Sequence, residues 1–233
     1  MEVGGTTLRV AVAASPRRIV ARRSLPTPSA KGPGVLVDII ARTVDDLLRE
    51  TGGVVRAAGV GFVGPLDPKA GVVLDSPHLR AFRNAPLRSL LEARLGVPVA
   101  LDNCENVAAL AEHRLGASRG AREMMYVAVG TGIGAGIIHN GRLYHGAHGA
   151  AGEVGHMVLM PDGPACACGK HGCWEALVSG PAIARGARER LAKRGASVLR
   201  RLAGGDPARV TSELVARAAQ SGDALAREVL ARA

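Results

Sequence analysis

At 233 residues, 47% hydrophobic and 21% charged, the chain has an ordinary globular composition, sized for one large or two modest domains. Aromatic residues make up only 2%, so the core has to be assembled from Val, Leu, Ile and Ala. The net charge of +10 implies attraction to polyanions, phosphorylated ligands included, but the basic residues fall as scattered pairs (Arg17–Arg18, Arg22–Arg23, Arg200–Arg201) without interleaved aromatics, a pattern that argues against nucleic-acid recognition.

In chain order, Glu2 to Ala13 reads as a strand, a glycine turn and a second strand with Leu8, Val10 and Val12 alternating. Gly4, Gly5 and Thr6 form a turn whose N–H groups and hydroxyl could meet a phosphate, or an ordinary hairpin turn. These glycines also interrupt the place where a signal peptide would carry its apolar core. Ile19 to Ser24 reads as a third strand, Pro26 to Pro33 as a loop, and Val35 to Glu50 as an amphipathic helix. Arg56 to Val63 is expected to be a buried strand ending in the Gly64–Pro68 loop. A strand at Gly71–Asp75 and a turn at Ser76–His78 follow, then a helix over Pro86–Leu95 with proline in its first turn.

Gly96 to Leu101 reads as a strand running into the polar corner Asp102-Asn-Cys-Glu-Asn106, with a helix from Val107 to Leu115. Strand Met124–Val129 leads into Gly130-Thr-Gly-Ile-Gly-Ala-Gly136, a second candidate phosphate turn, because so many glycines cost backbone entropy unless something must approach closely. This glycine-broken run is unsuited to a membrane span. Asn140-Gly141 is a two-residue hairpin signal. Helices are expected over Ser179–Lys193, Thr211–Ala219 and Asp223–Ala233.

The most specific stretch is Gly152 to Glu175, GEVGHMVLMPDGPACACGKHGCWE. Cys166, Cys168 and Cys173 fall within eight residues, with His156 ten residues before the first of them. Three thiolates and an imidazole make the closed tetrahedral set of a structural zinc site. A disulfide is disfavoured, because a Cys-x-Cys pair closes too small a ring. Clustered cysteines at metal spacing, with Cys104 apart, point to a reducing cytoplasm. Metal binding would draw Glu153 and Glu175 towards one place, where paired carboxylates suit a polyhydroxylated ligand; both could instead be solvated loop residues.

These motifs together resemble the ROK family of bacterial sugar kinases, such as glucokinase, and related sugar-responsive repressors. The resemblance covers nearly the whole chain: GGT at 4–6, GPLD at 64–67, LDN at 101–103, GTGIGAGI at 130–137, GEVGH at 152–156 and CACGKHGCWE at 166–175. It implies an α/β, two-domain actin/hexokinase-like (ribonuclease H-like) ATPase fold, here divided as 1–105 and 106–233. It further implies zinc on His156, Cys166, Cys168 and Cys173, and sugar contacts from Asn103, Glu153, His156 and Glu175. The phosphates of Mg-ATP would meet Gly4, Gly5, Thr6, Gly130, Thr131 and Gly132. A hexose or N-acetylhexosamine substrate and a homodimer, with no membrane or nucleic-acid partner, complete the expectation.

The sequence departs from the family pattern at four places, the first of them Glu2, which stands where family members normally have Asp. Cys104 stands where the kinases have the aspartate that accepts the sugar hydroxyl's proton, a weaker acceptor while it remains a thiol; Asp102 and Glu105 are the nearby carboxylates that could compensate. His78 stands where the family often has a sugar-facing Asn. Family members also continue beyond the helix that ends here at Ala233, so the C-terminal part is expected to be truncated. The expected function is an ATP-dependent sugar kinase impaired at its base. The alternatives are an inactive sugar-binding relative and a fragment of a sugar-responsive regulator.

Overall fold

The computed structural model describes every residue except Asp75, Pro77, His78, Gly195 and Ala196, so the expectation for His78 lies outside the described residues. By backbone contacts the chain divides into two compact units: Met1–Tyr126 with Gly136–Gly152, and Val127–Ala135 with Glu153–Ala233.

The first unit is built on a five-stranded sheet. Strands β1 (Glu2–Val3), β2 (Thr7–Ser15) and β3 (Arg18–Pro26) are followed by helix α1 (Gly32–Thr51), β4 (Ala58–Phe62), the two-residue strands β5 (Leu66–Asp67) and β6 (Val72–Val73), and helix α2 (Leu87–Leu95). Strand β7 (Val99–Asn103) completes the sheet, in the order β3-β2-β1-β4-β7. The β1–β2 and β2–β3 pairs are antiparallel, and β1–β4 and β4–β7 are parallel. Leu8 and Val10 on β2 and Leu36, Ile40 and Leu47 on α1 are fully buried, as the two hydrophobic periods of the sequence require. Phe62 and Phe82 meet at 5.5 Å between ring centroids within this aliphatic core.

Helix α3 (Cys104–Leu115) starts three residues earlier than expected. Asn103 is its N-cap: its side-chain oxygen accepts the Glu105 and Asn106 backbone N–H groups at 2.8 and 3.4 Å, satisfying two of the helix's orphan donors. Cys104 therefore belongs to the helix, while Asp102 and Asn103 still belong to β7.

Strands β8 (Met124–Val129), β9 (Ile133–His139) and β10 (Arg142–Leu143) form a sheet ordered β10-β9-β8. Asn140 and Gly141 turn the β9–β10 hairpin with φ of 51° and 72°, the doubly left-handed pattern of a type I′ turn. The glycine turn is shorter than expected, because β9 begins at Ile133 and Gly136 lies inside the strand. A Cβ at Gly136 would stand 2.4 Å from the Glu105 carbonyl oxygen and 2.5 Å from the Ala109 Cβ. This glycine admits a helix, not a ligand.

The second unit is mainly helical after the cysteine loop: α4 (Trp174–Val178), α5 (Gly180–Arg194), α6 (Val198–Leu202), α7 (Ser212–Gln220) and α8 (Ala224–Ala231). Leu191, Leu199, Val210, Val215 and Ala226 are buried among them. Thr211 caps α7 through the Leu214 N–H, and Asp223 caps α8 through the Ala226 N–H. No described helix is long and apolar enough to cross a membrane.

Candidate functional site

In the first unit, strand register gathers three sequence motifs at one sheet edge. Val3 pairs with Phe62, and Phe62 with Asn103, so the Gly4–Thr6 turn, the loop after β4 and the Asn103–Cys104 corner all leave the carboxyl ends of adjacent parallel strands. Ligands of open α/β sheets bind at such ends. The Gly4–Thr6 turn closes the β1–β2 hairpin, with the Gly4 N–H donating to the Thr7 carbonyl at 3.0 Å. The Thr27 hydroxyl donates to the Gly4 carbonyl at 2.8 Å, and Thr6 is exposed.

Cys104 turns inward at this edge. Its sulfur lies 3.9 Å from the Val3 carbonyl oxygen, and a Cβ at Gly61 would stand 3.5 Å from it. Burial, reinforced by the neighbouring Glu105 and Glu2 carboxylates, pushes the thiol up to about 12. Asp102 offers no ready substitute. Its Oδ1 accepts the Asn103 backbone N–H at 2.7 Å and the Asn106 side-chain amide at 2.9 Å, and its Oδ2 faces the His145 Nε2 at 2.7 Å.

In the second unit, His156, Cys166, Cys168 and Cys173 converge, their four donor atoms all within 4.8 Å of one another. The His156 Nδ1 is 3.6 Å from the Cys166 sulfur, and the sulfurs of Cys168 and Cys173 are 3.6 Å apart. Zn–S bonds near 2.3 Å at tetrahedral angles place sulfurs about 3.8 Å apart, so the spacing and the donor set both fit zinc. Two glycines shape the loop, Gly169 at φ 89° and Gly172 at φ 62°. A Cβ at Gly172 would fall 1.5 Å from the Met160 carbonyl oxygen. Without metal, burial and the adjacent sulfurs push the Cys173 thiol up to about 11, whereas the Lys170 backbone N–H lowers that of Cys168.

His156 is two-faced: its Nε2 lies 4.0 Å from a Glu153 carboxylate oxygen. Burial raises the Glu153 pKa, opposed by the His156 charge and assisted by Glu175, so both glutamates do lie in one electrostatic neighbourhood. Glu175 is also structural. Its Oε2 accepts the Ile133 backbone N–H at 2.8 Å, and a Cβ at Gly132 would collide with that oxygen at 2.5 Å. Gly132 is thus required by the approach of a carboxylate, a contact that nothing local in the sequence announces.

The Gly130–Gly132 turn is closed by the Gly130 N–H donating to the Gly132 carbonyl at 2.9 Å. The Gly130 carbonyl accepts the N–H of Gly180, the first residue of α5, at 2.8 Å. Gly130 and Thr131 line a cavity of about 320 Å³ with Gly180, Arg188, Thr211 and Ser212. It brings together a glycine turn, the starts of α5 and α7 and a guanidinium, all of which suit anionic groups. The Arg188 Nη2 donates to the Val210 carbonyl at 2.7 Å. Sequence reasoning found the turn but missed Arg188, Thr211 and Ser212, which join it only through helix packing.

A sequence profile of the ROK family matches residues 1–233. The chain is similar to the glucokinase of Streptomyces coelicolor, 34% identical over 95% of the chain and 69% of that protein. It is also similar to the N-acetylmannosamine kinase of Salmonella typhimurium, 35% identical over 82% of the chain and 64% of that protein. Among solved structures, a ROK family glucokinase from Streptomyces griseus, in complex with glucose and AMPPNP, superposes with a TM-score of 0.86 at 35% identity, covering 98% of this chain and 72% of that one. A ROK family transcriptional regulator, a homolog of the E. coli MLC protein, superposes with a TM-score of 0.85 at 26% identity, covering 98% of this chain and 57% of that one.

Proposed function

Because the chain belongs to the ROK family, we propose that it is a sugar kinase, transferring the terminal phosphoryl group of Mg-ATP to a hexose or an N-acetylhexosamine. Its fold is α/β, of the actin/hexokinase-like class. The three kinases named above share 34–35% of aligned positions with the chain and the regulator 26%, which favours the kinase reading.

The observation that carries the proposal is the Gly130-Thr131-Gly132 turn, tied to the start of α5 beside a cavity that Arg188, Thr211 and Ser212 also line. Phosphoryl transfer depends chiefly on positioning and charge neutralisation. Backbone N–H groups of this turn, the Arg188 guanidinium, and Gly4, Gly5 and Thr6 would hold phosphate oxygens, while Mg²⁺ would neutralise charge on the leaving diphosphate. Asn103, Glu153, His156 and Glu175 would hydrogen-bond the sugar hydroxyls. His156, Cys166, Cys168 and Cys173 would hold zinc, whose contribution would be structural, keeping the imidazole oriented with Nε2 towards Glu153. Such a thiolate-bound zinc site is consistent with a reducing, cytoplasmic setting.

The test is sugar-dependent ADP release by the purified chain with glucose, mannose, N-acetylglucosamine and N-acetylmannosamine, each against a sugar-free control. ADP formation that saturates with one sugar is expected. Release that ignores every sugar overturns the proposal.

A further inference from the structure

The Asp102–His145 pair stands apart from the roles assigned above. The two residues are 43 positions apart in sequence, yet the Asp102 Oδ2 and the His145 Nε2 lie 2.7 Å apart, with the side chains 20% and 32% exposed respectively. The other Asp102 oxygen accepts the Asn103 backbone N–H and the Asn106 side-chain amide. One half-buried carboxylate thus ties together the end of β7, the first turn of α3 and the segment after β10. His145 is itself fixed, its carbonyl accepting the Ala151 N–H at 3.1 Å. Its loop is tightly wound, with φ of 73° at Gly146 and 74° at Gly149.

What this knot holds is Asn103. The Asn103 side-chain oxygen is committed to the α3 N-terminus, so only its amide N–H groups remain to meet a ligand. Their direction depends on the backbone at 102–103 being held. Asp102 does that through the Asn103 N–H, and the donor from His145 occupies the one carboxylate oxygen that would otherwise be free to rotate away. Three donors leave little of this carboxylate open to a substrate. It is well suited to orienting a neighbour.

We infer that Asp102 and His145 are positioning residues for sugar binding, which together fix Asn103 at the carboxyl end of β7 in the orientation that receives a sugar hydroxyl. The inference rests on the reading of Asn103 as a sugar ligand. The His145 contribution is a single N–H donated from Nε2, so a residue of similar reach that keeps a donor there can replace it, whereas one without a donor cannot.

The test is calorimetric titration of the full chain with whichever sugar the wild type binds, and separately with ADP, for the wild type, His145→Ala and His145→Gln. Thermal midpoints are measured alongside. His145→Ala is expected to weaken sugar binding about 10-fold, the scale of one hydrogen bond to a charged group, with ADP affinity and thermal midpoint held. His145→Gln is expected to recover most of the loss. Unchanged sugar affinity in His145→Ala overturns the inference, as does an equal loss of sugar and ADP affinity or a failure of His145→Gln to recover. Asp102→Ala provides the second variant and is expected to lose at least as much sugar affinity, with Asp102→Ala/His145→Ala no worse than Asp102→Ala alone. Because binding is read without turnover, a chain that binds sugar but releases no ADP contradicts the kinase proposal and leaves this comparison intact. A chain that binds none of the four sugars overturns both.

Discussion

Gly136 on β9 lies so close to Ala109 on α3 that the two positions share room for only one methyl group, a Cβ at 136 standing 2.5 Å from that of Ala109. The Glu105 carbonyl is nearer still, at 2.4 Å, and it belongs to the helix's first turn, where Asn103 and Cys104 are held. Gly136→Ala should therefore push α3 away from the strand. Overpacking of this kind costs about 1–3 kcal/mol, and the expected result is a lower midpoint in chemical denaturation with an unchanged slope. A variant as stable as the wild type would mean that the helix and strand are less closely joined than these contacts require.

Reading the His156, Cys166, Cys168 and Cys173 cluster as a zinc site makes a prediction about composition. The chain purified without chelator should carry about one zinc per polypeptide, and Cys173→Ser, which removes the most deeply buried ligand, should carry far less. Metal binding to a site absent from the unfolded chain is folding free energy, so chelation should lower the thermal midpoint of the wild type and leave that of Cys173→Ser nearly unchanged. Elemental analysis of both proteins, followed by melting with and without chelator, decides it. Equal zinc in the two proteins would remove the sulfur of Cys173 from the metal site.

Long elements were legible in the sequence because they bury one side at a fixed period: α1 through Leu36, Ile40, Val44 and Leu47, and β2 through Leu8 and Val10. The convergence of His156, Cys166, Cys168 and Cys173 was legible because these residues are close along the chain. Strand β5 and helices α4 and α6 span two to five residues, too few for any period to register, whereas β6 falls within the strand expected at Gly71–Asp75. The start of α3 was misplaced because Asn103 and Cys104 resemble a polar corner until the Asn103 side chain is seen to cap the helix. The glycines of 130–136 pointed to a ligand as a group, yet Gly132 accommodates Glu175 and Gly136 accommodates α3. Asp102–His145 and Ile133–Glu175 join residues 43 and 42 positions apart; such pairs are products of topology, and a single sequence carries no local trace of them.

Asp223 ties the acid stability of the second unit to one side chain. It is nearly buried, and its two oxygens accept the N–H groups of Ala226 and Val198 and the hydroxyl of Ser197, all at 2.7–2.8 Å. Burial alone would raise its pKa, but these hydrogen bonds outweigh it and the net shift is downward. A carboxylate with a depressed folded-state pKa adds stability that is fully present above its unfolded value, about 3.9. That stability disappears as pH falls through the folded pKa. Asp223→Asn should therefore narrow the difference in thermal midpoint between pH 7 and pH 3, and Asp223→Ala should lose the α8 cap at every pH, at a cost of about 1–2 kcal/mol. Identical pH profiles in the wild type and Asp223→Asn would assign the acid sensitivity to other groups.

Cys104 is predicted to be chemically quiet and catalytically limiting. With the thiol at about 12, only about one molecule in 10⁴ carries the thiolate at pH 8, and the thiolate is the form that reacts. In the metal-stripped protein iodoacetamide should modify exposed Cys168, whose pKa is lowered, well before Cys104, as peptide mass spectrometry can follow. The same burial makes Cys104 a poor acceptor for a sugar proton. An aspartate there could not keep the inward orientation, because its charge would face the Val3 carbonyl oxygen that now lies 3.9 Å from the sulfur. It should turn outward along the sheet edge that Asn103 shares. Restoring a general base contributes on the order of 10²–10⁴-fold, so Cys104→Asp should raise kcat for the accepted sugar by at least 10²-fold while changing its KM little. Equal kcat in both proteins, with sugar still bound, would place the proton acceptor elsewhere.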